Sequence, residues 1–311
     1  MKYLRQLLLA KLEPLASYGV DSVPTAAANW LAVQDIDANP VEMSTDDQKV
    51  VSGKYGQDEK IVGGIWSTIN FDMPLRGGGT PLGTAGTAPN FDVILRACGM
   101  ARTVTAGTSV AYTPIESDEE SATVYFYQDK VLNKMVGVRG SWELKFNSQK
   151  QALLGFKGLG LRVPMTDETL PSPTIPTLPR PVAMNRANTA LSFGALAARL
   201  SSFTINQGND LQYRNLTNRE DIVIVDRNST GQVSIEMPTV AEKDFLGPAG
   251  IISTAATDAL TITHGTVPGN IVQVAIPKAQ ILKPKNANEQ GQVMLGCELH
   301  IIRNDITLTF K

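Results

Sequence analysis

The feature that most constrains this chain is a weak internal repeat with its blocks in the same order in both halves. Ile69-Asn70-Phe71-Asp72-Met73-Pro74 is echoed by Val233-Ser234-Ile235-Glu236-Met237-Pro238. Thr103–Thr108 is echoed by Thr261–Thr266, Trp142–Phe146 by Cys297–Ile301, and Phe156-Lys157 by Phe310-Lys311. Asp92–Gly99 can be laid over Asp244–Gly250 with one residue deleted. Collinear matches of this kind predict two similar units in tandem, the second with shorter loops. Two unrelated β-rich domains are the alternative.

Six prolines between residues 164 and 181 separate the halves. A segment this rich in proline is an extended, semi-rigid linker rather than a packed element. The expected organisation is an N-terminal segment 1–29, a first domain 30–163, a linker 164–190 and a second domain 191–311. At 311 residues the chain has the length of about two domains.

Periodicity points to strands. Ile65, Ser67, Ile69, Phe71 and Met73 alternate with Trp66, Thr68, Asn70 and Asp72, a period-2 strand ended by Pro74. Further strands are expected at 30–41, 110–113, 122–128, 136–146 and 152–163. Residues 43–63 are polar, with Gly53 and Gly56 at turn positions, and read as a long hairpin arm. Residues 87–99 read as one amphipathic helix, with Thr87 as N-cap, Pro89 in the first turn and Gly99 as left-handed stop. Its expected buried face is Phe91, Ile94, Leu95 and Cys98. Residues 1–17 are expected to form a short helix, interrupted by Pro14. Their apolar run ends at Lys11, too short for a secretory core, so the start is read as part of the mature chain.

The fold class is therefore mainly β with a few short helices. With 42% apolar and 19% charged residues, the chain is too apolar to be disordered. A net charge of −2 gives no overall basic field for nucleic acid. Two cysteines, Cys98 and Cys297, make no disulfide framework and fit a reducing compartment.

Catalytic chemistry finds little to work with. There are two histidines, His264 and His300, and no Gly-x-Ser-x-Gly elbow accompanies the serines. Gly77-Gly78-Gly79 lacks the Lys-Ser/Thr of a phosphate loop. The acidic run Glu116–Glu120 lacks the spacing of a Ca²⁺ loop and reads as a solvated turn. The Thr-His-Gly turn at His264 is matched by Ala106, which argues against metal ligation. No catalytic, cofactor-binding or metal-binding residue is expected.

More informative are acids that recur in both copies in mid-strand. Asp72 is matched by Glu236, and Glu143 by Glu298, each on the face opposite its strand's apolar residues. An ordinary wet sheet face explains them as well as a surface that must stay acidic does. Lys145, His300 and Arg139 share those faces.

Several segments resemble the tail tube proteins of long-tailed, non-contractile (siphovirus-type) bacteriophages. They are Ala10-Lys11-Leu12-Glu13, Tyr18–Thr25, Gly83–Pro89 leading into Leu95–Gly99, and Val104–Pro114. In the second half, Ala183–Thr189, Tyr213–Leu216 and Thr263–Thr266 resemble the same family. The resemblance implies tandem β-sandwich or barrel tube domains that assemble into stacked rings, the hollow conduit for genome delivery from capsid to host. It implies strands joined edge to edge around the lumen, satisfying otherwise open edges. The arm would reach an adjacent ring through Asp46, Asp47, Lys49, Lys54, Tyr55, Asp58, Glu59 and Lys60.

If each chain supplies two tube domains, a sixfold lumen needs three chains, so trimeric rings with pseudo-sixfold symmetry are expected, hexameric rings being the alternative. The implied partners are further copies, neighbouring rings, the tail terminator, tape measure and distal tail proteins, and passing double-stranded DNA without specific binding. The implied location is the virion tail, after synthesis in the host bacterial cytoplasm, with no cofactor. Asp72, Glu143, Glu236 and Glu298 would then face the lumen, where a cationic wall would hold DNA through counterion release. A non-catalytic binding or adhesion module of a phage tail is the runner-up.

Overall fold

A computed structural model describes residues 4–48, 50–51, 55–78, 84–245, 247 and 257–311. The first half contains β1 (Gln6–Leu12), β2 (Gln34–Asp47), β3 (Lys60–Pro74), α1 (Asp92–Ala97), β4 (Met100–Thr105) and β5 (Ser109–Pro114). It continues with β6 (Ala122–Gln128), β7 (Val131–Asn147), β8 (Leu153–Arg162) and β9 (Thr166–Asp167). The second half contains β10 (Thr189–Phe193), β11 (Leu196–Ala198), β12 (Leu200–Asn206), β13 (Asn209–Leu216) and β14 (Arg219–Arg227). It ends with β15 (Thr230–Glu236), β16 (Thr257–His264), β17 (Val272–Glu289), β18 (Gln292–Ile301) and β19 (Thr307–Phe310). Among the described residues all pairings are antiparallel, and the chain is mainly β, as expected.

One ladder runs β2–β3–β8–β7–β12–β15–β18–β17 through both halves. The two halves meet where β7 pairs with β12, Phe146 opposite Phe203. They meet again where β19 pairs with β5. β7 and β17 are long enough to serve two neighbours in turn. β7 pairs with β6 over Val131–Val138 and with β8 over Met135–Lys145, with an irregularity between Val136 and Arg139 that contains Gly137 at φ +62°. β17 likewise pairs first with β16 and then with β18. One core collects Phe71, Trp142, Phe146 and Phe156 from the first half with Phe193, Phe203, Ile235 and Phe310 from the second.

The pairing pattern recurs. β1–β6–β7–β8–β3–β2 in the first half has the same neighbour order as β10–β16–β17–β18–β15–β12 in the second. The short β9 pairs with the start of β7, as β19 pairs with the start of β17. On this basis β15 stands in the place of β3, in agreement with the first sequence match. The other three matches are displaced: β17 stands in the place of β7, β18 of β8 and β16 of β6. Short alternating segments look alike in sequence, and only hydrogen-bonded neighbours separate them.

Residues 6–12 are a strand, not the expected helix. Leu7, Leu8, Leu9 and Ala10 are all buried, because β1 is covered on both faces, and a doubly buried strand has the continuous apolar run of a helix. The helix at 87–99 is shorter than expected. Thr87 does not cap it; Phe91 occupies the N-cap position without a side-chain bond, and Asp92 N–H donates to the Pro89 carbonyl in a preceding turn. Its expected face, Phe91, Ile94, Leu95 and Cys98, is buried, and Gly99 takes φ +72°. The counterpart expected at 244–250 lies mostly outside the described residues, as does Gly79.

The proline-rich segment runs along its own chain. Thr174 N–H donates to the Ala26 carbonyl (3.1 Å), and the Arg180 carbonyl accepts from Asn270 Nδ2 (3.0 Å).

Candidate functional site

Directly opposed residues in antiparallel pairs share a face. Following the opposed pairs carries one polar face from β3 to β18: Asp72, Gly155, Glu143, Asn206, Thr230 and His300. The next row carries Lys145, Thr204, Gln232 and Glu298. The other face of the same strands holds Phe71, Phe156, Trp142, Phe203, Val233 and Cys297, all buried. Strict alternation thus gives the sheet one dry and one wet side.

All four acids singled out from the sequence lie on the wet side. They are not uncompensated. Lys145 Nζ stands 3.2 Å from Asp72 Oδ1 and 3.6 Å from Glu143 Oε2. Arg199 lies 2.8 Å from Glu236 and Lys283 2.8 Å from Glu298. Three cations thus stand against the four acids, Lys145 being shared by Asp72 and Glu143, so the charge of these acids is largely offset. Glu298 is not the positional counterpart of Glu143, because β18 takes the place of β8. The two nevertheless line one cleft of about 460 Å³, with Thr204, Asn206, Gln232 and His300, because only β12 and β15 separate β7 from β18.

The arm is the continuation of β2 and β3 beyond the core, laddered to the pair Asp47–Lys60, whose ends approach to 3.0 Å. Asp46, Asp58 and Glu59 are exposed, and Tyr55 is fully so. Met43, Val50, Val51, Ile61 and Val62 are also exposed apolar side chains. Lys49 and Lys54 lie outside the described residues.

A second hairpin, β13–β14, occupies the corresponding place between β12 and β15, and sequence reasoning gave no sign of it. Its alternation is mostly polar, so periodicity carried no apolar stripe. It folds back over the first half. Tyr213 stacks on Trp66 with centroids 4.9 Å apart. Arg139 donates to the Ile222 carbonyl (3.0 Å), and Ile222 N–H donates to Tyr18 Oη (2.7 Å). Asn209 Nδ2 donates to the Cys98 and Gly140 carbonyls, each at 2.8 Å. Burial pushes the Tyr18 phenol up to about 12, so it stays neutral beside these groups.

Glu13 is buried, which its sequence position did not suggest. Its carboxylate accepts from Ser121 Oγ (2.6 Å), Thr123 Oγ1 (2.9 Å) and the N–H groups of Gly19 (2.9 Å) and Gly137 (2.7 Å). Four donors satisfy a charge that would otherwise be expensive to bury. It fastens β1, the 17–22 turn, β6 and β7 together.

His264 is buried with both nitrogens engaged: Nδ1 with Thr189 Oγ1 (2.8 Å) and Nε2 with the Val182 carbonyl (3.2 Å). Burial holds its pKa below the ordinary histidine value. Cys98 and Cys297 are buried free thiols whose pKa values burial raises. Among the described residues no three His, Cys, Asp or Glu side chains are grouped to hold a metal. No helix among them is long and apolar enough to cross a membrane.

A family model described as phage tail tube protein matches residues 5–311. None of the curated proteins compared with the chain matches it.

Proposed function

The chain belongs to the phage tail tube protein family and is a structural component of the virion tail, and from that premise we propose that three copies close each ring of the tube. The two halves act as two tube domains, products of an internal duplication, so three chains give pseudo-sixfold symmetry. The observation that carries this reading is the recurrent strand order, β1–β6–β7–β8–β3–β2 and β10–β16–β17–β18–β15–β12, joined at β7–β12.

The wet face of the long ladder lines the channel. Asp72, Glu143, Glu236 and Glu298 there keep their cations, Lys145, Arg199 and Lys283, occupied. Paired cations release fewer counterions to a passing duplex, so DNA is not gripped. The chain does no catalysis. The tail is of the sheathless, flexible type, as the sequence resemblance implies, and the tube meets terminator, tape measure and distal proteins at its ends.

Helical reconstruction of tubes assembled from the purified chain tests the reading. Hollow striated tubes with three chains per ring, and with these acids on the inner wall, are expected. Six chains per ring, or the acids on the outer surface, would overturn it.

A further inference from the structure

The arm is joined to the rest of the chain only at its root. Among the described residues no hydrogen bond, ion pair or ring contact links 43–48, 50–51 or 55–63 to anything outside the β2–β3 ribbon. Val50 N–H reaches Asp58 and Lys60 reaches Asp47, both within the arm. Met43, Ile61 and Val62 are exposed there. A ribbon with so few buried contacts moves about its root unless something stops it.

The root is built to bend. Ser44 stands opposite Gly64 and Thr45 opposite Val62, which leaves Gly63 as an extra residue, a bulge in β3. A second irregularity lies between Asn39 and Glu42, opposite Thr68 and Trp66. At the first of these, Gly63 and Gly64 follow one another and carry no side chain to stiffen the backbone.

Tyr213 of β13 lies on that bend. Its ring stacks on Trp66, which shares a face of β3 with Gly64, and it comes so near Gly64 that a Cβ there would stand 2.7 Å from Tyr213 Cε1. A glycine in a strand marks such a close approach. The ring is itself fixed: Tyr213 Oη donates to Glu220 Oε1 (2.7 Å) and accepts from Asn215 Nδ2 (3.2 Å). The hairpin that carries it is fastened to the first half through Tyr18, Arg139 and Asn209.

We propose that β13–β14 clamps the hinge of the arm: Tyr213, seated on Gly64 and Trp66, holds the arm at one angle to the rest of the chain. The clamp lies within one chain and is independent of how many copies close a ring. Its use in assembly rests on the ring reading above. An arm already oriented meets another copy without first losing the freedom of a swinging ribbon.

Distances between two spin labels in the unassembled full chain test the clamp. One label is placed on the arm at Asp46→Cys and the other on β8 at Lys157→Cys, both exposed positions, and Cys98 and Cys297 are buried and stay as they are. With Tyr213 in place one narrow distribution is expected. Tyr213→Ala is expected to broaden it at least about twofold. Tyr213→Phe keeps the ring over Gly64 and Trp66 and is expected to leave it narrow. A broad distribution with Tyr213 in place, an unchanged width in Tyr213→Ala, or a Tyr213→Phe chain as broad as Tyr213→Ala overturns the clamp.

Amide exchange at Ile222 shows whether the hairpin stays seated. Should Tyr213→Ala unseat it, Trp66→Leu removes the stack from the β3 side, and broadening there supports the clamp while an unchanged width overturns it. Tyr213→Ala is also expected to raise several-fold the chain concentration at which tubes form, and tubes at an unchanged concentration overturn the use in assembly. An unsubstituted chain that never forms rings or tubes overturns the ring reading, and the clamp is then judged by the distances.

Discussion

Phe146 of β7 and Phe203 of β12 face each other across the ladder that joins the two halves, their ring centroids 6.1 Å apart. Both are fully buried, so the seam between the halves is a piece of core rather than a surface contact. The His264 ring packs edge-on against Phe146 at 5.5 Å, drawing β16 into the same cluster.

Removing the second ring opens a cavity at that seam. Phe203→Ala is expected to cost about 3–5 kcal/mol, the usual range for a buried aromatic cut to alanine. Denaturant unfolding checks it. Because both halves share the core, a single transition is expected to move, with no separate transition for one half.

Glu13 leads to a second expectation. Glu13→Ala leaves the Ser121 and Thr123 hydroxyls and the Gly19 and Gly137 N–H groups without their acceptor. The loss is expected at about 2–4 kcal/mol, more than one unsatisfied buried group costs. Glu13→Gln keeps an acceptor oxygen and is expected to lose less. Thermal unfolding of the two variants, compared at one pH, reads the difference.

Gly137 tests backbone conformation at the bend of β7. Its φ of +62° disfavours any Cβ, and a Cβ there would stand 2.6 Å from Tyr18 Oη. Gly137→Ala is expected to destabilise the fold by at least about 1–2 kcal/mol from backbone strain alone. It also displaces the phenol that accepts from Ile222. Loosened β13–β14 would show as faster amide exchange at Ile222.

His264 sets a pH dependence. Its pKa in the folded chain is lowered by burial, so the unfolded chain binds a proton first as pH falls. The contribution to stability is complete above the unfolded value of about 6.5, declines as pH falls below it, and levels off once pH passes the folded value. His264→Gln is expected to flatten that limb. Urea midpoints measured from pH 8 to pH 5 for both chains check it.

Much of the fold was legible because its strands alternate cleanly. β3, β6 and β8 were bounded within a few residues, and the face carrying Asp72, Glu143, Glu236 and Glu298 followed from period 2 alone. β1 was misread because burial on both sides erased its alternation. β4 and β13–β14 were missed because polar residues on an exposed edge or a folded-back hairpin carry no apolar stripe. The ion pairs of Lys145 and Lys283 were also out of reach. Lys145 meets Asp72 across the intervening β8, and Lys283 meets Glu298 across a register shift between β17 and β18, relations that strand order and register create.

The β7–β12 seam has a kinetic consequence. Two halves tethered on one chain meet at the concentration their linker imposes, whatever the dilution outside. That seam closes as the chain folds and loses no translational freedom of a separate molecule, a loss that every contact between copies must overcome. Dilution or salt can therefore pull neighbouring copies away from each other while each copy keeps its own seam closed, and assembly begins from a unit already twice the size of a single half.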